Sequence, residues 1–137
     1  MSRFLTPLDV RLADPRANDH TGQWWLLSEL RYQSDRLGEV ITVPRSFSTD
    51  FASVPRESAI LWGLFGGRGM RAAVVHDYIT RQRLFRRERC DRVFLEALLA
   101  DGMEASKALP MYLAVVAYTA SGLWQGEWDR PGYEPIG

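Results

Sequence analysis

Two adjacent residues, His76 and Asp77, have the clearest potential for chemistry in this chain. His76 is one of only two histidines in 137 residues, and a run of apolar residues precedes the pair. We expect the pair on a largely buried helix, where ionisable groups are costly unless they are hydrogen-bonded or bound to a ligand. The pair therefore predicts either a structural hydrogen-bond network or a functional site.

A carboxylate on the following helix could reach this histidine. Asp91 lies on the next predicted helix, and residues 82–85 suit a helix–helix connection that makes the two helices antiparallel. A carboxylate bonded to one imidazole nitrogen fixes the tautomer and raises the basicity of the ring. His76 and Asp91 therefore predict a general base and the group that orients it.

Oxygen ligands for a metal ion form the second part of the candidate site. Asp77 follows His76 directly, and Asp50 lies upstream in the run Thr-Asp-Phe-Ala-Ser-Val-Pro at 49–55. Carboxylates suit a hard cation, so Asp50 and Asp77 are the expected ligands for calcium or magnesium if a metal takes part. The glycine-rich stretch at 63–69 could add backbone groups, although it lacks the Gly-Lys-Ser/Thr of a phosphate-binding loop.

Each of these residues also has a structural interpretation. A lone His-Asp pair more often holds helices together than performs catalysis, and Asp50 fits an ordinary turn or helix N-cap. Cys90, the single cysteine, is expected to pack rather than to act as a nucleophile, because no histidine lies near it in the sequence. Both interpretations of the His-Asp pair remain open at this point.

The order of hydrophobic patterns predicts an α+β fold within one domain over 1–137. Residues 1–55 are mainly β, 56–121 are mainly α, and 122–137 form an irregular tail. Strands are predicted at 8–12, 23–32 and 39–43, with a hairpin connection at 34–38. Helices are predicted at 71–81, at 86–100, where Gly102 ends the helix, and from Pro110 to about Ser121. A small N-terminal antiparallel sheet should therefore precede three helices, two of them antiparallel.

Composition excludes several classes of protein. Seventeen basic and seventeen acidic residues give a formal net charge of zero, which argues against a nucleic-acid partner. A single cysteine excludes a disulfide-held secreted scaffold, and the N-terminus lacks the apolar core of a signal peptide. The apolar stretch at 109–120 is too short to span a bilayer. We expect a soluble protein that is made and kept in the cytoplasm, or packaged from there.

The run at 49–55, followed by Arg71-Ala72-Ala73 and His76-Asp77-Tyr78, resembles the domain of unknown function family 1353. The resemblance covers about residues 4–118. Because that family is common in phages and prophages, the resemblance implies a phage or prophage origin, with other phage structural proteins as partners. It also implies a location in the cytoplasm of the bacterial host, or incorporation from there into the virion. It implies no activity.

The same helix is similar to that of the secreted calcium-dependent phospholipases, which also have a His-Asp pair. In that family the histidine activates water, the aspartate binds calcium, and an aspartate of a second antiparallel helix orients the histidine. The similarity implies these roles for His76, Asp77 and Asp91 respectively, with Thr80 at the family's tyrosine position.

Three functions from different classes follow from these patterns, and the least supported is a binding module that acts on a host factor. The first is a small metal-assisted hydrolase acting on a lipid or cell-envelope substrate. The second is a non-enzymatic virion protein of the tail or baseplate, or an assembly protein, in which the His-Asp pair is structural. The first requires the candidate residues to converge at a place that a substrate can reach.

Overall fold

The computed structural model describes residues 1–12, 24–49 and 69–120. Within these residues, six short strands are followed by three helices, in agreement with the predicted α+β class. The strands are β1 (Arg3–Phe4), β2 (Val10–Leu12), β3 (Trp24–Leu26), β4 (Leu30–Ser34), β5 (Glu39–Val43) and β6 (Ser48–Thr49). The helices are α1 (Met70–Arg81), α2 (Arg87–Ala100) and α3 (Ala105–Ala120). Two three-stranded antiparallel sheets have the orders β1-β4-β5 and β2-β3-β6.

The β4–β5 hairpin forms the best-defined part of the sheets, and it confirms the predicted connection at 34–38. Its register pairs Leu30 with Val43 and Ser34 with Glu39. Alternate residues of β4 are buried, as a half-buried strand requires. Gly38 closes the turn with φ +68°, a left-handed conformation that glycine adopts without steric cost.

The prediction of one strand over 23–32 was wrong, because the chain bends between β3 and β4. The two strands belong to different sheets. Leu26 and Leu30 are both buried, but residues 27–29 are all exposed, which breaks the two-residue alternation of a continuous strand. The bend lets both leucines enter the core.

The described helices pack in chain order, and the first two cover the β1-β4-β5 sheet. α1 contacts β4, β5 and α2, while α2 also contacts β1, β4 and α3. Eight of the twelve residues of α1 are buried, including both ionisable residues of the His-Asp pair. The core therefore surrounds α1, as the apolar sequence before His76 predicted.

Helices α1 and α2 end in the same hydrogen-bonded motif with different residues at its left-handed position. The N–H groups of Arg83 and Leu84 donate to the carbonyls of Thr80 and Ile79. After α2, Gly102 and Met103 donate in the same pattern to Leu99 and Leu98. This pattern is the Schellman motif, in which glycine usually takes the left-handed position. Gly102 has φ +91° and confirms the predicted helix end, whereas Arg83 has φ +53°.

The start of the third helix differs from the prediction. α3 begins at Ala105, and Pro110 lies inside it rather than in its first turn. Proline cannot donate to the carbonyl four residues earlier, so this helix lacks one backbone hydrogen bond near its start. Burial of Ala108, Met111 and Val115 favours the longer helix despite that loss. Among the described residues, no helix is long and apolar enough to cross a membrane.

Candidate functional site

His76 and Asp91 meet between α1 and α2, as the sequence predicted. These two residues are called the dyad below. His76 Nε2 lies 2.8 Å from Asp91 Oδ1. Their side chains are 2% and 4% exposed, so the pair is almost completely removed from water. The Phe94 ring lies beside the imidazole, with 5.2 Å between ring centroids. This geometry fixes the orientation of the imidazole within the interface between the two helices.

The other nitrogen of the same ring has no hydrogen-bond partner. His76 Nδ1 is buried, and it is the unsatisfied side-chain atom found in the described part of the chain. When Nε2 carries the proton that Asp91 accepts, Nδ1 is left with a free lone pair. Buried polar atoms without a partner are uncommon, and a catalytic role is one of their established explanations. A ring held in this tautomer can accept a proton at Nδ1.

Asp77 is engaged in a different set of contacts. Its Oδ2 accepts a hydrogen bond from the Thr49 hydroxyl at 2.7 Å, and its Oδ1 lies 3.0 Å from Arg81 Nε. Arg81 also donates to the Ser48 carbonyl at 2.8 Å. Asp77 and Arg81 therefore fasten β6 to α1. Sequence reasoning missed this arrangement, since Thr49 and Asp77 are separated by 28 residues and form no motif.

Both carboxylate oxygens of Asp77 have partners in the described structure. One oxygen of Asp77 lies against the Arg81 guanidinium and the other accepts a hydrogen bond from the Thr49 hydroxyl, so a hard cation at this carboxylate would meet the positive charge of Arg81. Asp50, its proposed fellow ligand, lies outside the described residues, as does nearly all of the glycine-rich stretch. Within residues 1–12, 24–49 and 69–120, no three His, Cys, Asp or Glu side chains are grouped to hold a metal. Metal binding by Asp50 and Asp77 stays a prediction.

Thr80 lies one turn after His76 and is buried. Its hydroxyl donates to the backbone carbonyls of His76 and Asp77, at 2.7 Å and 3.0 Å. Both bonds are within α1, so this side chain satisfies itself locally. Thr80 therefore supports the helix that carries the pair.

The thiol of Cys90 is buried and weakly bonded to the Phe85 carbonyl at 3.5 Å. Burial, together with the nearby charge of Asp91, raises the pKa of this thiol to about 12. Because the thiolate is the nucleophilic form, Cys90 is unreactive near neutral pH. This agrees with the packing role expected from the sequence.

A second carboxylate, Glu96, joins the β4–β5 hairpin to α2. Its Oε1 accepts hydrogen bonds from the hydroxyls of Tyr32 and Ser34, both at 2.6 Å. Its Oε2 accepts from the backbone N–H of Arg36 at 2.9 Å. Burial and the bond to Glu96 raise the pKa of Tyr32. No local sequence signal identifies this network, because its partners lie about sixty residues apart.

Comparisons with known proteins place these features in a family. A family model described as a protein of unknown function (DUF1353) matches residues 24–115, which is more than half of the chain. The uncharacterized protein y4jT of Sinorhizobium fredii (strain NBRC 101917 / NGR234) is 34% identical over 77 residues. That match covers 56% of this chain and 23% of the relative, so the chain spans less than a quarter of that protein's length. No solved structure matches the chain. The matched range includes the run at 49–55 and both residues of the dyad, His76 and Asp91. The chain therefore belongs to the DUF1353 family.

Proposed function

We propose that this chain is a hydrolase in which His76 is the general base and Asp91 orients it. The observation that supports the proposal is the combination of a held Nε2 and an unpartnered Nδ1 on one buried ring. A general base needs both a fixed orientation and a free lone pair, and this ring has both.

The proposed reaction is the hydrolysis of an ester. Nδ1 of His76 removes a proton from water while the water oxygen attacks the carbonyl carbon. The resulting imidazolium is stabilised by the Asp91 carboxylate on its opposite nitrogen. When the tetrahedral intermediate collapses, the bond to the leaving oxygen breaks and that oxygen takes the proton from Nδ1. The ring returns to its starting tautomer, so atoms and charge balance.

The proposed substrate class is a lipid or another cell-envelope ester, and the proposed origin is a phage or prophage. Both are supported by the resemblances of the His-Asp helix and of the run at 49–55. The metal-assisted form of the reaction would need oxygen ligands other than those Asp77 offers in its present contacts. No step above depends on a metal.

Ester hydrolysis by purified variants tests this function. Release of fatty acid from phospholipid vesicles, and of nitrophenol from short esters, is followed with calcium, with magnesium and with a chelator. His76→Gln and Asp91→Asn should each lower the rate on the order of 10²–10⁴-fold, because each disables proton transfer at the same ring. His20→Gln changes the chain's other histidine and provides the matched control.

The competing function is a non-enzymatic virion or assembly protein in which the dyad is structural. The almost complete burial of both side chains between two helices favours this alternative. Absence of hydrolysis across the ester panel, combined with a large loss of stability in His76→Gln, would establish the structural role. Hydrolysis that survives in His76→Gln would also reject the proposed mechanism.

A further inference from the structure

A second candidate site lies on a different face of α2 from the one that carries Asp91. A cavity of about 380 Å³ is lined by Arg36, Arg92, Leu95, Glu96, Leu99 and Tyr112. Arg36 belongs to the β4–β5 turn, Tyr112 belongs to α3, and the other four residues are on α2. Their spacing of three, four and seven residues places those four on one face of the helix. This face points away from Phe94 and Ala97, which are buried in the core.

The described residues that line this cavity carry an excess of positive charge. Arg36 and Arg92 are exposed, and neither guanidinium forms an ion pair within the described part of the chain. Glu96 is the one carboxylate among the described residues of the lining, and its oxygens already accept three hydrogen bonds from Tyr32, Ser34 and Arg36. Two guanidinium groups and one carboxylate give the described lining a net positive charge. Guanidinium groups favour carboxylate and phosphate ligands because their paired N–H donors match such anions.

The apolar part of the lining continues onto the surface of α3. Leu99 is 44% exposed beside the cavity, and Leu109 and Leu113 are 47% and 60% exposed. Leu109 precedes Tyr112 by three residues, so both lie on the same side of α3. Leu113, the next residue after Tyr112, extends the apolar surface around the helix. Exposed apolar patches bordered by charge are a feature of binding sites.

We infer that this cavity binds a single-chain amphiphilic anion. Its carboxylate or phosphate head lies between Arg36 and Arg92, and its apolar chain lies over Leu99, Tyr112 and Leu109. A simple inorganic anion would leave the leucines exposed, whereas a neutral apolar ligand would leave both guanidiniums without a partner. The cavity volume falls within the range of small-molecule sites. This binding requires no reaction at His76 and does not rest on the proposed hydrolase activity.

Calorimetric titration of the full chain with matched small probes tests the inference. Decanoate and decyl phosphate, below their micelle concentrations, carry the two possible heads on the same chain, and the tighter binder identifies the head. Acetate and inorganic phosphate carry the heads alone, and decyltrimethylammonium carries the chain with the opposite charge. We expect one or both decyl anions to bind with one-to-one stoichiometry. The headgroup anions and the cation should bind at least tenfold more weakly.

Variants locate the binding. Arg36→Gln/Arg92→Gln should weaken decyl-anion binding at least tenfold, and Leu99→Ser should weaken it several-fold. Arg45→Gln, which changes another exposed arginine, should have no effect. All replaced side chains are exposed, so unchanged melting temperatures should confirm that the variants fold. Any one of three results would overturn the inference. These are equally tight binding of the cationic amphiphile, unchanged decyl-anion binding in the double variant, and dimerisation through this face without ligand.

Discussion

Asp91 holds only one nitrogen of His76: its Oδ1 lies 2.8 Å from Nε2, while Nδ1 on the same buried ring has no partner. A network that served stability alone would gain by satisfying both nitrogens, since an unpaired buried polar atom costs free energy. The unpaired Nδ1 is therefore a cost in folding free energy that a purely structural dyad would have no reason to keep.

The dyad should show strong energetic coupling in unfolding experiments. Asp91→Leu leaves Nε2–H of His76 without an acceptor, so we expect the free energy of unfolding to fall by about 1–3 kcal/mol. His76→Leu/Asp91→Leu removes both polar partners and should recover much of that loss. Urea unfolding of His76→Leu, of Asp91→Leu and of the double variant measures the coupling free energy between the two side chains. Additive losses would show that the two side chains do not stabilise one another.

Asp77 should contribute to stability through its contacts with β6 and with Arg81. Asp77→Ala leaves the Thr49 hydroxyl and the Arg81 guanidinium without this acceptor, so we expect a loss of about 1–3 kcal/mol in the free energy of unfolding. Asp77→Asn keeps an oxygen for Thr49 and should lose less. Thermal unfolding compares the two. Equal losses in both variants would mean that the hydrogen bond to Thr49 contributes little.

Divalent ions provide a separate test of Asp77. Because its carboxylate already contacts Arg81 and Thr49, we expect calcium and magnesium to leave the melting temperature of the wild-type chain unchanged. A bound ion would instead stabilise the fold by mass action, by about 2.7 kcal/mol at one hundred times its Kd. If calcium or magnesium raised the melting temperature, and Asp77→Asn or Asp50→Asn abolished that increase, the result would support the metal-assisted mechanism.

The left-handed positions after α1 and α2 should respond in opposite directions to substitution. Gly102→Ala introduces a Cβ at φ +91°, and we expect a loss of about 1–2 kcal/mol from the unfavourable conformation alone. An added Cβ there meets no atom within 4 Å, so no clash contributes. Arg83→Gly should gain stability at φ +53°, reduced by whatever the arginine side chain contributes through its own contacts. Chemical unfolding of both variants measures the difference.

Stability should fall in alkaline solution because of Cys90. Its pKa is raised from 9.0 to about 12, so between those values the unfolded chain loses the thiol proton while the folded chain keeps it. Unfolding then releases a proton, and the free energy of unfolding decreases as pH rises through this window. Tyr32, whose pKa is also raised, acts in the same direction above pH 10. Cys90→Ala should have a shallower alkaline decline than the wild type between pH 9 and 10, and identical slopes would contradict the assignment.

The sequence predicted those parts of the fold that depend on local pattern. Apolar spacing predicted α1 and α2, and their short connection predicted the meeting of His76 with Asp91. Contacts between distant segments were not predictable in this way. Neither the bond of Thr49 to Asp77 nor the bonds of Glu96 to Tyr32 and Ser34 leave a periodic signal, because each partner alone fits an ordinary polar position.

Local rules also failed where tertiary packing outweighed them. Pro110 predicts a helix start by its missing N–H, yet α3 extends one further turn before it because burial of Ala108 favours helix there. The chain bends at 27–29 because Leu26 and Leu30 are both buried in the core although their strands belong to different sheets. Both outcomes depend on what surrounds the segment rather than on the segment itself.

The hydrogen bond between β6 and α1 has a consequence for the spacing of Thr49 and Gly69. Thr49 is bonded to Asp77 of α1, and the carbonyl of Gly69 accepts the N–H of Ala73 at 2.9 Å at the start of the same helix. Thr49 and Gly69, the described residues on either side of 50–68, are therefore both held by the same helix. A change in the position of α1 would move both of them together, so one helix sets the distance that residues 50–68 have to bridge.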